Sequence, residues 1–321
     1  MTVPATDFNP TDTLESVLRE DLAQGDAFLG SAAPLLRHFL ANEHDSMFSD
    51  DIISRIRGMI ADLVNQMLNA IAAAANSPHY PEHPAEVVEA FTMGIINQPA
   101  LLTHIHALAF EWQLTERLEQ RLSLDPVVSP LVQALISSPE PNVGGLAMKL
   151  LAAQARHGQA QRRMKLPVTE LPGDLFHTLL QVMRTVAVGT GRDYEQVEAA
   201  EQQVRAGYNE ATGRLALISQ AVMGMGPGAF AALSVTHAGV ATFLTALAMA
   251  SGQDRDVTTF TTNDKQAARL ALSLSAAGLK ITQVEEQMLA IHPDLTLPEG
   301  YDRLDADRAA AILVSGSLGG Q

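Results

Sequence analysis

The sequence predicts an all-α protein, either an irregular multi-helix bundle or a short HEAT-like array of helical repeats. Apolar residues recur at helical spacing along nearly the whole chain, and no segment shows the alternation typical of a strand. Hydrophobic residues make up 47% of the 321 residues and charged residues only 18%, below the usual quarter for soluble domains. Aromatic residues are scarce at 5%. We therefore expect an aliphatic core with wide helix–helix contacts.

The prolines of segment 76–84 mark the first domain boundary. We predict a flexible lead at 1–13, an N-terminal helical region at 14–80, a larger helical domain at 81–314 and a flexible tail at 315–321.

Three helices are expected in the N-terminal region. One begins near Leu14 and a second spans 26–42. Ser49 is a favourable N-cap for the third, whose apolar stripe Ile52–Ile71 forms either core or the seam of a two-helix dimer.

The larger domain is expected to be helical throughout. Pro84 and Pro99 each suit the first turn of a helix, and Asp193 opens a polar helix after a glycine turn. The remaining helices are predicted at 126–137, 143–160, 174–187, 263–274, 282–291 and 305–314.

The run Leu215–Gln253 contains a single titratable side chain, His237. Its length suits a membrane helix. However, the glycines and proline of 224–228 divide it, hydroxyl residues interrupt it, and no aromatic belt or basic cluster flanks it. We expect two helices buried at the centre of the protein, His237 as a hydrogen-bonded interior residue, and no membrane span.

A faint internal similarity bears on the repeat alternative. Leu122-Ser123 precedes a helix with Ala134-Leu135, and Leu233-Ser234 precedes a helix with Ala246-Leu247. Stacked helix pairs would form an extended binding surface. Chance similarity between leucine- and alanine-rich helices explains the same pattern, so both interpretations stay open.

Short motifs within 151–177 resemble those of a known family. Leu151–Arg156 (LAAQAR), Gln161–Met164 (QRRM) and Leu171–Leu175 (LPGDL) are similar to a family of uncharacterised all-helical proteins from alphaproteobacteria. The resemblance implies an all-α fold, and it brings no catalytic residue to this chain.

Composition excludes several classes of function. The net charge of −15 opposes binding to nucleic acid and to anionic lipid. Because cysteine is absent, disulfides, thiolate metal sites and cysteine nucleophiles are excluded. Segment Met1–Asp12 lacks a basic stretch followed by an apolar one, so we expect no secretory signal. This pattern fits a cytoplasmic bacterial protein.

A basic patch lies between Pro141 and Thr169, a segment without aspartate or glutamate. We predict it to be a partner-binding surface for an acidic or phosphorylated protein, or for the acidic N-terminus of a second subunit. Alternatively, cations near a helix C-terminus complement the helix dipole and need no ligand. The predicted partner-binding residues are Lys149, Arg156, Arg162, Arg163 and Lys165.

Six of the ten histidines lie between His38 and His106, but their spacing does not place metal ligands on one helical face. The pair His44-Asp45 matches the core dipeptide of HD-type metal-dependent phosphohydrolases, in which it ligates a divalent cation. A helix C-terminus explains the pair more simply. The sequence shows no phosphate loop, hydrolase elbow, zincin helix or dinucleotide fingerprint. We predict no catalytic residue, metal site or cofactor.

These observations favour a non-enzymatic, cytoplasmic interaction or regulatory protein, homo-oligomeric, that presents a helical surface to a protein partner. Two alternatives stay open. One is an HD-like phosphohydrolase that uses His44 and Asp45, with His38 in support. The other is a binder of an apolar small molecule held between the helices of 215–251, where small side chains leave room.

Overall fold

The structure is a computed structural model that describes residues 10–41, 49–75 and 83–317. The chain is 80% helical with no strand among the described residues, which confirms the predicted all-α fold. The α-helices are α1 (Pro10–Ala41), α2 (Asp50–Ala74), α3 (Ala85–Ile96), α4 (Pro99–Leu122), α5 (Pro130–Ile136), α6 (Pro141–Arg162), α7 (Gly173–Gly189), α8 (Tyr194–Ala206), α9 (Arg214–Gly224), α10 (Val235–Ala238), α11 (Val240–Ser251), α12 (Arg255–Phe260), α13 (Ala267–Ala276), α14 (Ile281–Ile291) and α15 (Ala306–Ser317).

Short 3₁₀ turns connect several of these helices. They lie at Val168–Glu170, Glu210–Thr212, Gly226–Leu233, Asp264–Gln266 and Tyr301–Arg303.

Helix α1 is continuous where the sequence predicted two helices. Gly25 lies inside it and serves a tertiary contact: Gln266 Nε2 donates to the Gly25 carbonyl at 2.5 Å. A Cβ at this position would lie 2.7 Å from the Gln266 side chain. The glycine therefore permits a close approach between distant elements without ending the helix. Pro34 also lies within α1.

The first hydrophobic cluster surrounds α2. Ser49 caps this helix as predicted, because its Oγ accepts a hydrogen bond from Ile52 N at 3.4 Å. The stripe Ile52–Ile71 is buried against α3, α4 and α8, and α7 completes the cluster with Leu179 and Met183. The stripe is therefore core within a single chain.

The second hydrophobic cluster contains most of the C-terminal half. Helices α11, α13, α14 and α15 form it together with α9, α5 and α6. The start of α1 joins this cluster through Leu14, Leu18 and Leu22, and α1 contacts α13 and α15.

Helix α4 belongs to both clusters. Its residues Leu101 to Ala109 lie in the first cluster, whereas Leu114 and Leu118 lie in the second. Glu111 and Trp112 lie on α4 between these two groups of residues, and both are buried.

The helix contacts are those of an irregular bundle. Helix α1 packs against α15 at the other end of the described chain, and α2 packs against α8. In a repeat array each unit contacts only its neighbours, so the HEAT-like alternative gains no support.

The neutral run, Leu215–Gln253, forms most of α9, a 3₁₀ turn, α10 and α11. Gly224 ends α9 as predicted, and Gly239, with φ +77°, separates α10 from α11. Every residue from Val240 to Ala248 is buried, as expected for a central helix, whereas His237 is only partly buried. Among the described helices, none combines the length and apolar content needed to cross a membrane.

Candidate functional site

The five predicted partner-binding residues lie together on α6 and the segment that follows it. All five are exposed. Lys149, Arg156 and Arg163 are spaced by seven residues, which is nearly two helical turns, so they share one face of the helix. These three form no salt bridge with any described residue. We call this surface, with Arg162 and Lys165, the basic face.

A depression of about 220 Å³ lies beside the basic face, between α2 and the end of α6. Arg156, Arg163 and Lys165 line it together with Asp62. Lys165 Nζ is 3.7 Å from Asp62 Oδ1. Burial raises the pKa of the Asp62 carboxyl, and Lys165 opposes that rise.

The chain after α6 turns sharply to bring Lys165 back beside the helix. Met164 has φ +53°, and Lys165 N donates to the Ala160 carbonyl at 2.9 Å. This left-handed residue followed by a bond back to the final turn is a typical C-terminal stop.

Helix α2 holds the turn in place. Buried Arg55 donates from Nη1 to the Gln161 carbonyl at 2.8 Å. Asp62 Oδ2 accepts from Leu166 N at 3.2 Å, and Gln66 Nε2 donates to the Leu166 carbonyl at 2.9 Å. The position of the basic face therefore depends on polar side chains of α2.

A buried ionic network, which the sequence analysis missed, lies between the two hydrophobic clusters. Glu111 of α4 is 3% exposed and Arg214 of α9 is 1% exposed. Glu111 Oε1 accepts from Arg214 Nη1 at 2.5 Å, and its Oε2 accepts from Arg255 Nη2 of α12 at 2.6 Å. Arg255 Nε also donates to Thr245 Oγ1 of α11 at 3.0 Å. The carboxylate thus joins α4, α9 and α12, and Arg255 extends the network to α11.

Two histidines adjoin this network. His104 Nδ1 lies 2.9 Å from Asp256 Oδ2, which links α4 to α12 a second time. His157 of α6 is buried. Burial lowers the pKa of His157 well below its ordinary value, and the Arg214 guanidinium lowers it further.

The network keeps its carboxylates ionised. Burial alone would raise the pKa of Glu111, but Arg214 and Arg255 outweigh it and hold that pKa well below its usual range. Burial would likewise raise the pKa of Asp256, yet His104 and Arg255 bring it below its ordinary value. A carboxylate stabilised in this way is a weak proton acceptor. Its ion pairs connect the helices that carry the charged side chains.

Nothing in the described residues supports a metal centre. No group of three or more histidine, aspartate or glutamate side chains there could hold a metal ion. His44 and Asp45 of the HD-like alternative lie outside the described residues, as does the side chain of His38.

A cavity that touches the helices of 215–251, at Ala238 to Ala241, has a volume of about 30 Å³. A larger depression of about 590 Å³ lies between α1, α13 and the segment Leu295 to Tyr301. The apolar-ligand alternative stays a prediction.

Comparison with protein-family models, with curated proteins and with solved structures finds no match to this chain.

Proposed function

We propose that this protein is a non-enzymatic, cytoplasmic interaction protein whose basic face binds an acidic helix of a protein partner. The observation that carries the proposal is the exposed row Lys149, Arg156 and Arg163, without ion-pair partners among the described residues of a chain with net charge −15. We also propose that the protein is related to the uncharacterised all-helical proteins of alphaproteobacteria and that it forms a homo-oligomer.

The geometry of the row favours a helical partner. Residues seven apart on a helix rise by about 10 Å, so the row extends about 20 Å along α6. A partner helix with carboxylates at the same spacing could oppose all three cations at once. Small residues lie on the same exposed face of α6, at Gly145 and Ala152, and would permit close approach.

An apolar contact accompanies the charges. Met148 is 53% exposed on α6 next to Lys149. Methionine adapts to irregular partner surfaces, and charges mainly steer encounter and select the partner. The combination suits reversible binding to an amphipathic acidic helix.

The buried network supports a role other than catalysis. Glu111 has both oxygens bonded to arginines and a low pKa, so it is poorly suited to take up a proton. Arg214 Nη1 also lies 3.5 Å from Gln154 Oε1 of α6, so we infer that the network fixes α6 and α9 relative to α4 and thereby maintains the position of the basic face.

The test is binding of two synthetic helical peptides of equal composition, measured by fluorescence anisotropy. One carries glutamates at every seventh position, and the other has them distributed round the helix. We expect the first to bind about tenfold more tightly or better, since only it can meet the whole row. Equal affinity of the two peptides would contradict the proposal.

Charge-reversal variants supply the matched control. The double variant Arg156→Glu/Arg163→Glu should lower the affinity for the first peptide by about tenfold or more, because like charges then face each other. The double variant Arg121→Glu/Arg303→Glu makes the same change in net charge at exposed arginines of α4 and of the 3₁₀ turn before α15, and it should leave the affinity unchanged. An equal loss in this second double variant would mean that overall charge, and not the basic face, attracts the peptide.

A further inference from the structure

The depression beside the basic face differs from the rest of that face because several cations meet in it. Of the described residues that line it, Arg156, Arg163 and Lys165 are cationic and Asp62 alone is anionic. Three cations against one carboxylate leave an excess of two positive charges. Lys149, further along α6, does not line the depression.

The two arginines of the depression are available to a group from outside the chain. Arg156 and Arg163 form no salt bridge with any described residue. Each guanidinium carries five N–H donors and cannot accept a hydrogen bond. Asp62 does not occupy them, because its Oδ2 accepts from Leu166 N and Gln66 Nε2 and its Oδ1 lies 3.7 Å from Lys165 Nζ.

The end of α6 does not require these side chains as hydrogen-bond donors. The Ala160 carbonyl accepts from the backbone nitrogens of Arg163 and Lys165, at 3.0 and 2.9 Å. The Gln161 carbonyl accepts from Arg55 Nη1 at 2.8 Å. These carbonyls are therefore satisfied without the cationic groups of the basic face, which weakens the alternative that the cations serve only the helix end.

The size of the depression favours one charged group of a larger ligand. Its volume of about 220 Å³ is below the roughly 300–1,000 Å³ typical of pockets that hold a whole small molecule. A phosphorylated side chain carries a charge of about −1.5 to −2 at pH 7 and three acceptor oxygens. A carboxylate carries one negative charge and two oxygens. A phosphate therefore matches the excess charge of the depression more closely than a glutamate does, and guanidinium groups bind it through paired hydrogen bonds.

We propose that the depression binds the phosphate of a phosphoserine or phosphothreonine on the acidic partner helix. Arg156, Arg163 and Lys165 donate to its oxygens. This inference rests on the proposed function, since the same helix places a glutamate opposite Lys149. That glutamate lies seven residues from the phosphorylated one, because Lys149 and Arg156 are seven residues apart on α6.

The test compares the register-matched glutamate peptide with two phosphorylated versions of it, by fluorescence anisotropy on the full-length protein. In one version phosphoserine replaces the glutamate at one end, and in the other it replaces the glutamate at the opposite end, because the helix can lie in either direction. The tighter version should bind about tenfold more strongly than the glutamate peptide. No gain in either version would overturn the inference and leave the proposed function intact. The proposed function fails separately, if the glutamate peptide binds no better than its scrambled counterpart.

Two lysine variants provide a matched pair. Lys165 lines the depression, whereas Lys149 belongs only to the row on α6. Lys165→Gln should abolish the gain from the phosphate and leave the affinity for the glutamate peptide nearly unchanged. Lys149→Gln should weaken both peptides alike. An unchanged gain in Lys165→Gln, or an equal loss of the gain in the two variants, would refute the site.

The Lys165→Gln variant should fold, because the turn is held through the backbone nitrogen of this residue and its side chain is 57% exposed. Inorganic phosphate as a competitor distinguishes a phosphorylated partner from a free anion. It should displace the phosphopeptide only at a concentration about a hundredfold or more above that of unlabelled phosphopeptide, since it lacks the contacts of the helix. Equal potency of the two competitors would assign the depression to a free anion and contradict the proposal.

Discussion

At the scale of single residues, Glu111 has the largest predicted effect. Among the residues that the structure describes, it forms the salt bridges of both Arg214 and Arg255, and all three side chains lie within the helix junction. Replacing Glu111 by glutamine keeps its shape but leaves two guanidiniums facing each other without a counter-charge. Removing one partner of a buried ion pair typically costs about 3–5 kcal/mol.

We therefore expect Glu111→Gln to lower the free energy of unfolding by about that amount, measured by urea denaturation at neutral pH. Glu119→Gln removes a charge from an exposed position of the same helix and should change stability by less than about 0.5 kcal/mol. If Glu111→Gln proves as mild as Glu119→Gln, the network does not hold the helices together.

His106 should make the protein sensitive to acid. It is buried beside Phe110 and Phe260, and burial lowers its pKa to about 4. The unfolded chain, with an ordinary histidine pKa of about 6.5, binds this proton more readily. Stability is therefore complete above pH of about 6.5 and falls as the pH drops toward 4, by about 3 kcal/mol in all.

The measurement is urea unfolding of wild type and His106→Gln at about pH 7 and about pH 4.5. The variant cannot take up the proton, so its loss of stability between the two pH values should be smaller. Equal losses in the two proteins would show that other groups, such as His157, account for the whole acid effect.

At the scale of elements, the contact between α2 and the turn after α6 positions the basic face. A Cβ on Gly58 of α2 would lie 2.6 Å from Met164 Cβ and 2.9 Å from the Met164 carbonyl oxygen. Because one of these atoms is backbone, Gly58→Ala must displace the turn. We expect a net destabilisation of about 1–2 kcal/mol and weaker binding of the acidic peptide, although no charge has changed.

The matched control for Gly58→Ala is Gly30→Ala in α1. A Cβ at Gly30 would meet nothing within 4 Å, so alanine should stabilise the helix slightly, by up to about 1 kcal/mol. Thermal unfolding and peptide anisotropy on both variants check the prediction. Unaltered binding in Gly58→Ala would mean that the turn does not determine the position of the basic face.

The elements were largely predictable because their signals are local. The cap at Ser49, the stripe Ile52–Ile71 and the basic run that ends at Lys165 can each be recognised within a few helical turns. The buried network could not be recognised in this way, because Glu111 lies 103 residues from Arg214 and 144 from Arg255. The nearest sequence signal was a glutamate between Phe110 and Trp112 on an apolar helix face.

Tertiary packing also explains where local patterns misled. The sequence predicted a separate helix at 26–42, yet α1 is continuous through Gly25, where the glycine allows Gln266 to approach. The sequence analysis assigned no role to Arg214 and Arg255, which flank the run Leu215–Gln253, but both turn inward to Glu111. Both features depend on contacts between different helices, which local sequence patterns do not reveal.

At the scale of the whole molecule, charge is distributed unevenly. The chain carries −15 overall, and the segment 141–169 contributes only positive charge. Binding at the basic face should weaken with added salt, because exposed charges are screened over about 10 Å at 0.1 M.

The most direct test of the basic face is photo-cross-linking in the source cell from position 159. Gln159 is exposed, lies between Arg156 and Arg163 in the sequence, and lines the depression. A photoreactive residue placed there should therefore form a cross-link to the partner. The same residue at Gln202, exposed on α8, serves as the control. We predict a cross-link at 159 only, to a peptide with acidic residues at helical spacing. Equal cross-linking at both positions, or a neutral or basic peptide at 159, would contradict the account.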